Sequence, residues 1–275
     1  MKPKIDGVIR FLGLVVLMAR VAYIEAIRQK FVAAVGIVTV LFVGSTLYLG
    51  DLDLGASKAR FVIDIGFGIL ALFGSLLAIM ATAQSFFGEL ENRTALTILA
   101  KPVPRSAFLL GKFAGVAALA ATYAGVIGLA TVALLTWASP AEAEVTPSTI
   151  GLLVAVIVFW LRLVILVAIT LFIASFARSS LFTALASLCA FVICQLHYLA
   201  ADGWAGVDSG LGRFIAWLIA RLFPNFQVFD VANTLVFGGF RELGGGSLLG
   251  LAAYALGYTA VYLGLASCLF SRREI

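Results

Sequence analysis

The chain has 275 residues, of which 63% are apolar and only 12% are charged, and its mean hydropathy is +1.11. Soluble domains have about 45–50% apolar and about 25% charged residues, so this composition excludes a soluble enzyme or binding module. The formal net charge of +5 fits basic helix ends beside anionic lipid headgroups and requires no nucleic-acid partner.

The first 30 residues are predicted to form a helix that lies in the inner membrane interface. The uncharged run Phe11–Ala19 is too short to span a bilayer, and Glu25 and its basic neighbours can reach the headgroups. Lys2 and Lys4 before this run also fit the start of a signal peptide. Cleavage there would place the most basic loop outside, so we favour the interfacial helix.

Long charge-free stretches predict the membrane spans. Five windows of 20 to 29 residues contain no charge, and a sixth is interrupted only by Arg162. Each is long enough to cross a bilayer as a helix, and none alternates as barrel strands do. The sequence therefore predicts an all-α integral membrane protein with one transmembrane domain over 1–275. The six predicted spans are 31–50, 65–88, 113–137, 150–177, 179–201 and 247–271.

The distribution of Lys and Arg predicts the orientation. With both termini in the cytoplasm, 13 of the 19 basic residues lie in inner segments and five lie in outer ones. This division agrees with the positive-inside rule. We therefore expect a multi-pass protein of the inner (cytoplasmic) membrane with both termini cytoplasmic.

The inner loop between the second and third spans has the most informative sequence. Its charged residues are followed by Leu96 and Leu99, so a short helix there would have one polar and one apolar side. Pro102 and Pro104 would end that helix, and Ser106 can cap the next one. From the residues alone, a solvated loop with a basic anchor explains the pattern equally well.

The segment Glu89–Gly115 resembles the signature of type-2 ABC transporter permeases. The matching residues are Glu89, Arg93, Thr94, Lys101, Pro102, Val103, Arg105, Phe108 and Gly111-Lys112. The six-span layout covers the whole chain and is similar to that family. The tail Arg272-Arg273-Glu274 and the outer groups Phe223-Pro224-Asn225 and Phe229-Asp230 also resemble it.

The resemblance implies a permease that forms a dimer, with itself or with a sister chain, in contact with membrane lipid. Two copies of a separate ABC ATPase would hold ATP and Mg²⁺, so the chain itself would be no enzyme. The loop 89–105 would contain the coupling helix that docks on the ATPase. The implied coupling residues are Glu89, Glu91, Asn92, Arg93, Thr94, Lys101, Pro102 and Arg105.

Two functions follow from the resemblance. The favoured one is ATP-driven export or extrusion of an amphipathic or lipid-linked substrate. The alternative is a mechanical transmitter that drives an extracytoplasmic partner protein without passing a substrate, as copper-enzyme-maturation-like permeases do. A membrane enzyme is disfavoured because no nucleophile and base are arranged for catalysis.

Arg162 is the only charged residue within a predicted span. Such residues mark candidate functional positions because an arginine at mid-bilayer costs roughly 2.5–3.5 kcal/mol on insertion scales. We expect either that the side chain extends to the outer interface or that it faces a translocation pathway, and we favour the first.

Neither a catalytic nor a metal site is expected in this chain, and no cofactor. The three cysteines lie in predicted spans without CxxC spacing. His197 follows Cys194 by one helical turn, but the nearest acid, Asp202, lies beyond that span. Gly111-Lys112 resembles the end of a P-loop, yet Ser106 stands at its first glycine position.

The outer region 202–246 contains two apolar runs, Phe214–Leu222 and the residues around Phe223, Phe226 and Phe229. Because neither is long enough to cross the membrane, interfacial or re-entrant helices are expected. The last span has small residues spaced by four and three, which permits close helix packing. The predicted packing residues are Gly246, Gly250, Gly257 and Gly264. We favour a partner helix in the same chain over one in a second permease.

Overall fold

A computed structural model describes the backbone of residues 2–49, 58–91, 104–138, 148–197, 214, 217–218, 221–238 and 240–272. Side chains are described in these ranges except at 2–10, 42, 46–49, 58, 89–91, 137–138, 240–246 and 272. Within the described ranges the regular structure is helical and includes no strand, which confirms the predicted all-α class.

Eight α-helices follow one another along the described chain. They are α1 Lys2–Ile27, α2 Lys30–Leu49, α3 Lys58–Ile69, α4 Ser75–Glu91, α5 Arg105–Ala138, α6 Thr149–Phe176, α7 Ser180–Gln195 and α8 Phe240–Arg272. A π-helical turn, Leu70–Gly74, joins α3 directly to α4. A 3₁₀ turn at Phe226–Phe229 and a second π turn at Thr234–Gly238 precede α8.

Four helical stretches are long and apolar enough to cross a membrane. They are Ala59–Gly88, Arg105–Thr136, Thr149–Phe176 and Ser247–Ser271. Phe11–Ile27 and Lys30–Ser45 make a fifth candidate if they form one span, although they meet at a bend of 61°. Helix α7 has 16 residues, fewer than the ~20 that a span needs. The six-span count and the interfacial position of α1 therefore stay predictions.

Helix α6 lies at the centre of the bundle, where it contacts α4, α5, α7 and α8. Its middle is buried on every side, from Leu163 through Leu171. Trp160 donates from Nε1 to the Ala117 carbonyl of α5 at 3.0 Å, which satisfies its one polar group. A helix whose middle is buried on every side fits a central span.

Helix α1 packs closely on α5 at two glycines, Gly111 and Gly115. A Cβ at Gly115 would lie 2.6 Å from the Ala19 carbonyl oxygen and from the Ala22 Cβ. A Cβ at Gly111 would collide with the side chain of Met18. Two glycines four residues apart let helix backbones approach closely, so this pair fixes the α1–α5 contact.

The predicted glycine packing on α8 is not found within the described chain. A Cβ at Gly250, Gly257 or Gly264 would meet no described heavy atom within 4 Å. The surroundings of Gly246 lie outside the described side chains. The described residues therefore give no support to a same-chain neighbour, and the packing partner of this stripe stays a prediction.

The segment before α8 folds back along that helix. The Tyr262 hydroxyl donates to the Leu222 carbonyl at 2.7 Å, and the Asn225 N–H donates to the Tyr254 hydroxyl at 2.8 Å. Because the two tyrosines are eight residues apart, these bonds are separated by roughly 12 Å along α8. Side chains of α8 thus satisfy backbone groups of the preceding segment beside a candidate span, as an apolar environment requires.

Candidate functional site

The loop between α4 and α5 is described at both ends but not in its middle. Five predicted coupling residues lie outside the described residues, namely Asn92, Arg93, Thr94, Lys101 and Pro102. Glu89 and Glu91 belong to the last turn of α4, and their side chains also lie outside. Arg105 is described. We call this end of the bundle the loop end.

Helix α5 begins at Arg105, directly after Pro104. The Pro104 carbonyl accepts the backbone N–H groups of Ala107 at 2.9 Å and Phe108 at 3.3 Å. Pro104 therefore stands at the start of the helix, and Ser106, which we expected to cap it, lies inside it. Proline cannot continue a helix from the preceding residues, so the chain is forced to begin a new one here.

Arg105 connects the start of α5 to the end of α8. Its guanidinium donates from Nη1 to the carbonyl oxygens of Ser271 at 2.9 Å and Phe270 at 3.3 Å. The last carbonyls of a helix lack partners within the helix, and the C-terminal end of the helix dipole attracts cations. Arg105 thus satisfies both requirements and holds the exit of the loop against the last helix.

Lys112 connects α5 to α1. Its ammonium lies 3.0 Å from the Glu25 carboxylate, and the Lys112 side chain is 2% exposed while that of Glu25 is 36% exposed. A buried ammonium is stable only beside an opposite charge or good acceptors. The sequence placed Glu25 among lipid headgroups, whereas the structure places it against α5.

Four phenylalanines from three helices pack together at the loop end. Phe108 stacks on Phe270 at 5.9 Å between ring centroids, and Phe86 packs edge-on against Phe270 at 5.6 Å. Phe86 also contacts Phe87 at 5.3 Å. Such offset and edge-to-face pairs contribute roughly 0.5–1.5 kcal/mol each beyond their burial. This aromatic cluster fixes the last turns of α4 and α8 against the first turns of α5.

These contacts tie both ends of the loop to α1 and α8. A displacement of the loop would therefore move several helices together, because the Lys112–Glu25 pair and the packed rings hold the helices at fixed distances. Arg105 and Lys112 belong to the predicted loop signature, but neither the pairing of Lys112 with Glu25 nor the aromatic cluster was predicted. An isolated lysine in an apolar run was a signal for a buried partner, whereas the spacing of the phenylalanines gave none.

Arg162 forms a second polar site inside the bundle. It lies roughly 20 Å along α6 from Thr149 and is 3% exposed. Its Nη2 donates to the Gln195 side-chain oxygen at 2.6 Å. The guanidinium carbon lies 4.9 Å from the Phe159 ring centroid, 5.0 Å from Phe226 and 5.9 Å from Phe191. The favoured expectation of a side chain that reaches the outer interface is therefore wrong, because the guanidinium is enclosed by protein.

The described residues form no metal site. Among them, no group of three or more His, Cys, Asp and Glu side chains is arranged to hold a metal ion. Cys194 is a buried free thiol, and the exposed Cys189 and Cys268 are also free.

A family model described as ABC-2 family transporter protein matches residues 8–275. The chain belongs to this family. The ABC-2 family supplies the membrane component of ABC transporters, so this ABC-2 protein is a multi-pass membrane permease that works with an ABC ATPase and is not itself catalytic. No curated protein matches the chain significantly.

Proposed function

We propose that this ABC-2 permease couples ATP hydrolysis by two copies of a separate ABC ATPase to export or extrusion of an amphipathic or lipid-linked substrate. ATP and Mg²⁺ would bind to the ATPase. The chain would lie in the inner membrane with both termini cytoplasmic, and a second permease, identical or related, would complete the transporter. The observation that carries the proposal is the attachment of both loop ends to the helical bundle.

The attachments give the loop a mechanical role. A partner that moves residues 92–103 pulls on α4 at one end and on α5 at the other. From α5, the Arg105 bonds lead to α8 and the Lys112–Glu25 pair leads to α1. A loop anchored in this way transmits motion into the membrane, whereas a loop that merely connects two helices needs no such anchoring.

Charge reversal in the loop tests the coupling role. We expect Glu89→Lys or Arg93→Glu to lower permease-dependent ATP hydrolysis about tenfold, the effect of losing ~1.4 kcal/mol of interface contact. Charged groups at an interface set register and partner choice, so the ATPase should engage incorrectly while the complex still assembles. Hydrolysis by the purified complex, compared with the ATPase alone, measures this effect.

Arg178→Glu is the matched control, because Arg178 is exposed beyond the end of α6 and outside the loop. It should leave hydrolysis near the unmodified rate. Unchanged hydrolysis and transport in both loop variants would contradict the coupling role of residues 89–105.

Two glycine substitutions separate packing within the chain from packing between chains. Gly115→Leu should lower the thermal unfolding temperature sharply, because a Cβ there already overlaps Ala19 and Ala22 of α1. Gly257→Leu should leave that temperature nearly unchanged, because no described atom lies within 4 Å. It should instead weaken association with the second permease, measured by light scattering in detergent. Equal loss of stability in both variants would refute the distinction.

A further inference from the structure

Arg162 carries a positive charge that no described carboxylate neutralises by contact. Gln195, a neutral residue, accepts its hydrogen bond, and among the described residues the Arg162 Nε has no acceptor at all. Asp230 acts on the guanidinium electrostatically, but it forms no ion pair with Arg162 within 4.0 Å, and it is exposed. A buried cation without a paired anion is costly in an apolar interior. The site therefore has unused capacity for a negatively charged group.

Three aromatic rings enclose the guanidinium, and they come from different parts of the chain. Phe159 belongs to α6 and Phe191 to α7, whereas Phe226 belongs to the 3₁₀ turn Phe226–Phe229. Cation–π contacts are stronger when the cation is desolvated, so the rings stabilise the charge in the absence of an anion. We call these three rings the aromatic cage. Phe159 and Phe191 are held in helices, whereas the position of Phe226 depends on the turn.

The turn is a short segment held by few bonds. Asn225 caps it by accepting the Gln227 N–H at 3.0 Å, and the Asp230 N–H donates to the Gln227 carbonyl at 3.0 Å. The Tyr254 hydroxyl holds it to α8. Short 3₁₀ turns have poorer hydrogen-bond geometry than α-helices. Motion of α8, which is tied to the loop end through Arg105, would therefore displace Phe226 more readily than Phe159 or Phe191.

We propose that the Phe226–Phe229 turn covers a cationic binding site, and that displacement of the turn exposes Arg162 to the anionic group of an amphipathic ligand. A guanidinium binds carboxylate, phosphate or sulfate through two parallel hydrogen bonds, and Nε is one of the donors that such a pair uses. The exposed ring faces would contact the apolar part of the ligand. This inference rests on the proposed function, because ATP hydrolysis by the partner drives the displacement.

Cys194 is a native reporter for this site. It is fully buried and lies in the turn of α7 that carries Gln195. Replacing the exposed Cys189 and Cys268 with serine leaves it as the sole thiol. The test adds an anionic or a cationic methanethiosulfonate to the permease–ATPase complex, and each labelling rate is divided by the rate with free cysteine.

We expect Cys194 to be protected at rest and to be labelled during ATP hydrolysis. The normalised rate of the anionic reagent should exceed that of the cationic one about tenfold, and Arg162→Met should bring the ratio to about one. Arg221→Gln is the control, because Arg221 is an exposed cation of the same segment outside the cage. It should leave the ratio unchanged. A charge preference that survives Arg162→Met would overturn the site.

Phe226→Ala tests the cover without the ATPase. It should make Cys194 of the permease alone reactive at rest, whereas Phe214→Ala, at an exposed position, should not. A complex that hydrolyses ATP while Cys194 stays protected would refute the displacement and leave the proposed function standing. Labelling of Phe226→Ala together with failure of any ATPase to bind would refute the proposed function and leave the covered site standing.

Discussion

Replacing Glu25 with leucine is expected to destabilise the permease more than replacing Lys112 with methionine. Glu25→Leu leaves a 2% exposed ammonium without the carboxylate that lies 3.0 Å away. Breaking a buried pair in this way costs about 3–5 kcal/mol, and the 36% exposure of Glu25 lowers the expected loss toward about 2 kcal/mol. Lys112→Met removes the charge, keeps most of the buried stem, and should cost less than ~1 kcal/mol.

The free energy of unfolding in detergent, or the thermal midpoint, measures this asymmetry. The double variant Glu25→Leu with Lys112→Met should be as stable as Lys112→Met alone, because the stranded charge is gone. Arg28→Leu serves as the matched control on an exposed neighbour of Glu25. A double variant whose loss equals the sum of the single losses would show that the two side chains act independently.

Replacing Gln195 with leucine is expected to destabilise the bundle strongly, while Arg162→Met leaves stability nearly unchanged. Gln195→Leu removes the acceptor at 2.6 Å from a buried guanidinium, and a hydrogen bond to a charged group contributes about 1.5–3 kcal/mol. Methionine at 162 fills the cage without a charge, and such replacements of buried ions are often neutral or stabilising. Arg162→Met should nevertheless lose the anion preference, since that preference depends on the charge.

We expect Gln195→Glu to raise the stability of the bundle, in contrast to Gln195→Leu. A carboxylate at 195 would neutralise Arg162, so the thermal midpoint should rise while ATP-driven labelling of Cys194 falls. The two measurements separate a structural role from a binding role, because for a purely structural Arg162 the midpoint would rise while the labelling of Cys194 stayed unchanged. A stable Gln195→Leu protein would show that the 2.6 Å bond contributes little.

Long apolar helices occupy three of the stretches in which hydropathy and charge predict membrane spans. The predicted spans 65–88, 150–177 and 247–271 correspond to Ala59–Gly88, Thr149–Phe176 and Ser247–Ser271. The third span was predicted at 113–137, but the apolar helical stretch begins at Arg105 and includes Lys112, whose charge is paired with Glu25. A division of the sequence at charged residues fails where the charge has a partner distant in the sequence.

The candidate site was also predictable only in part, because its contacts join residues that are distant in the sequence. Arg105 belongs to the loop pattern, but its acceptors are backbone carbonyls of residues 270 and 271, and no side-chain pattern reveals them. Likewise, the glycine stripe of α8 has a clear periodicity, whereas Gly111 and Gly115, which pack α5 on α1, form a single short pair. Periodicity shows that close approach is permitted and does not show which helix approaches.

The π turn at Leu70–Gly74 sets the rotational phase between the two ends of one span. A π turn adds a residue to a helix, and one residue corresponds to about 100° of rotation. Asp64 accepts a hydrogen bond from Asn233 at 2.8 Å on one side of this turn, and Phe86 meets Phe108 and Phe270 on the other. In an uninterrupted α-helix, seating Phe86 among its rings would turn Asp64 away from Asn233. The inserted residue is what lets a single helix match two distant surroundings at once.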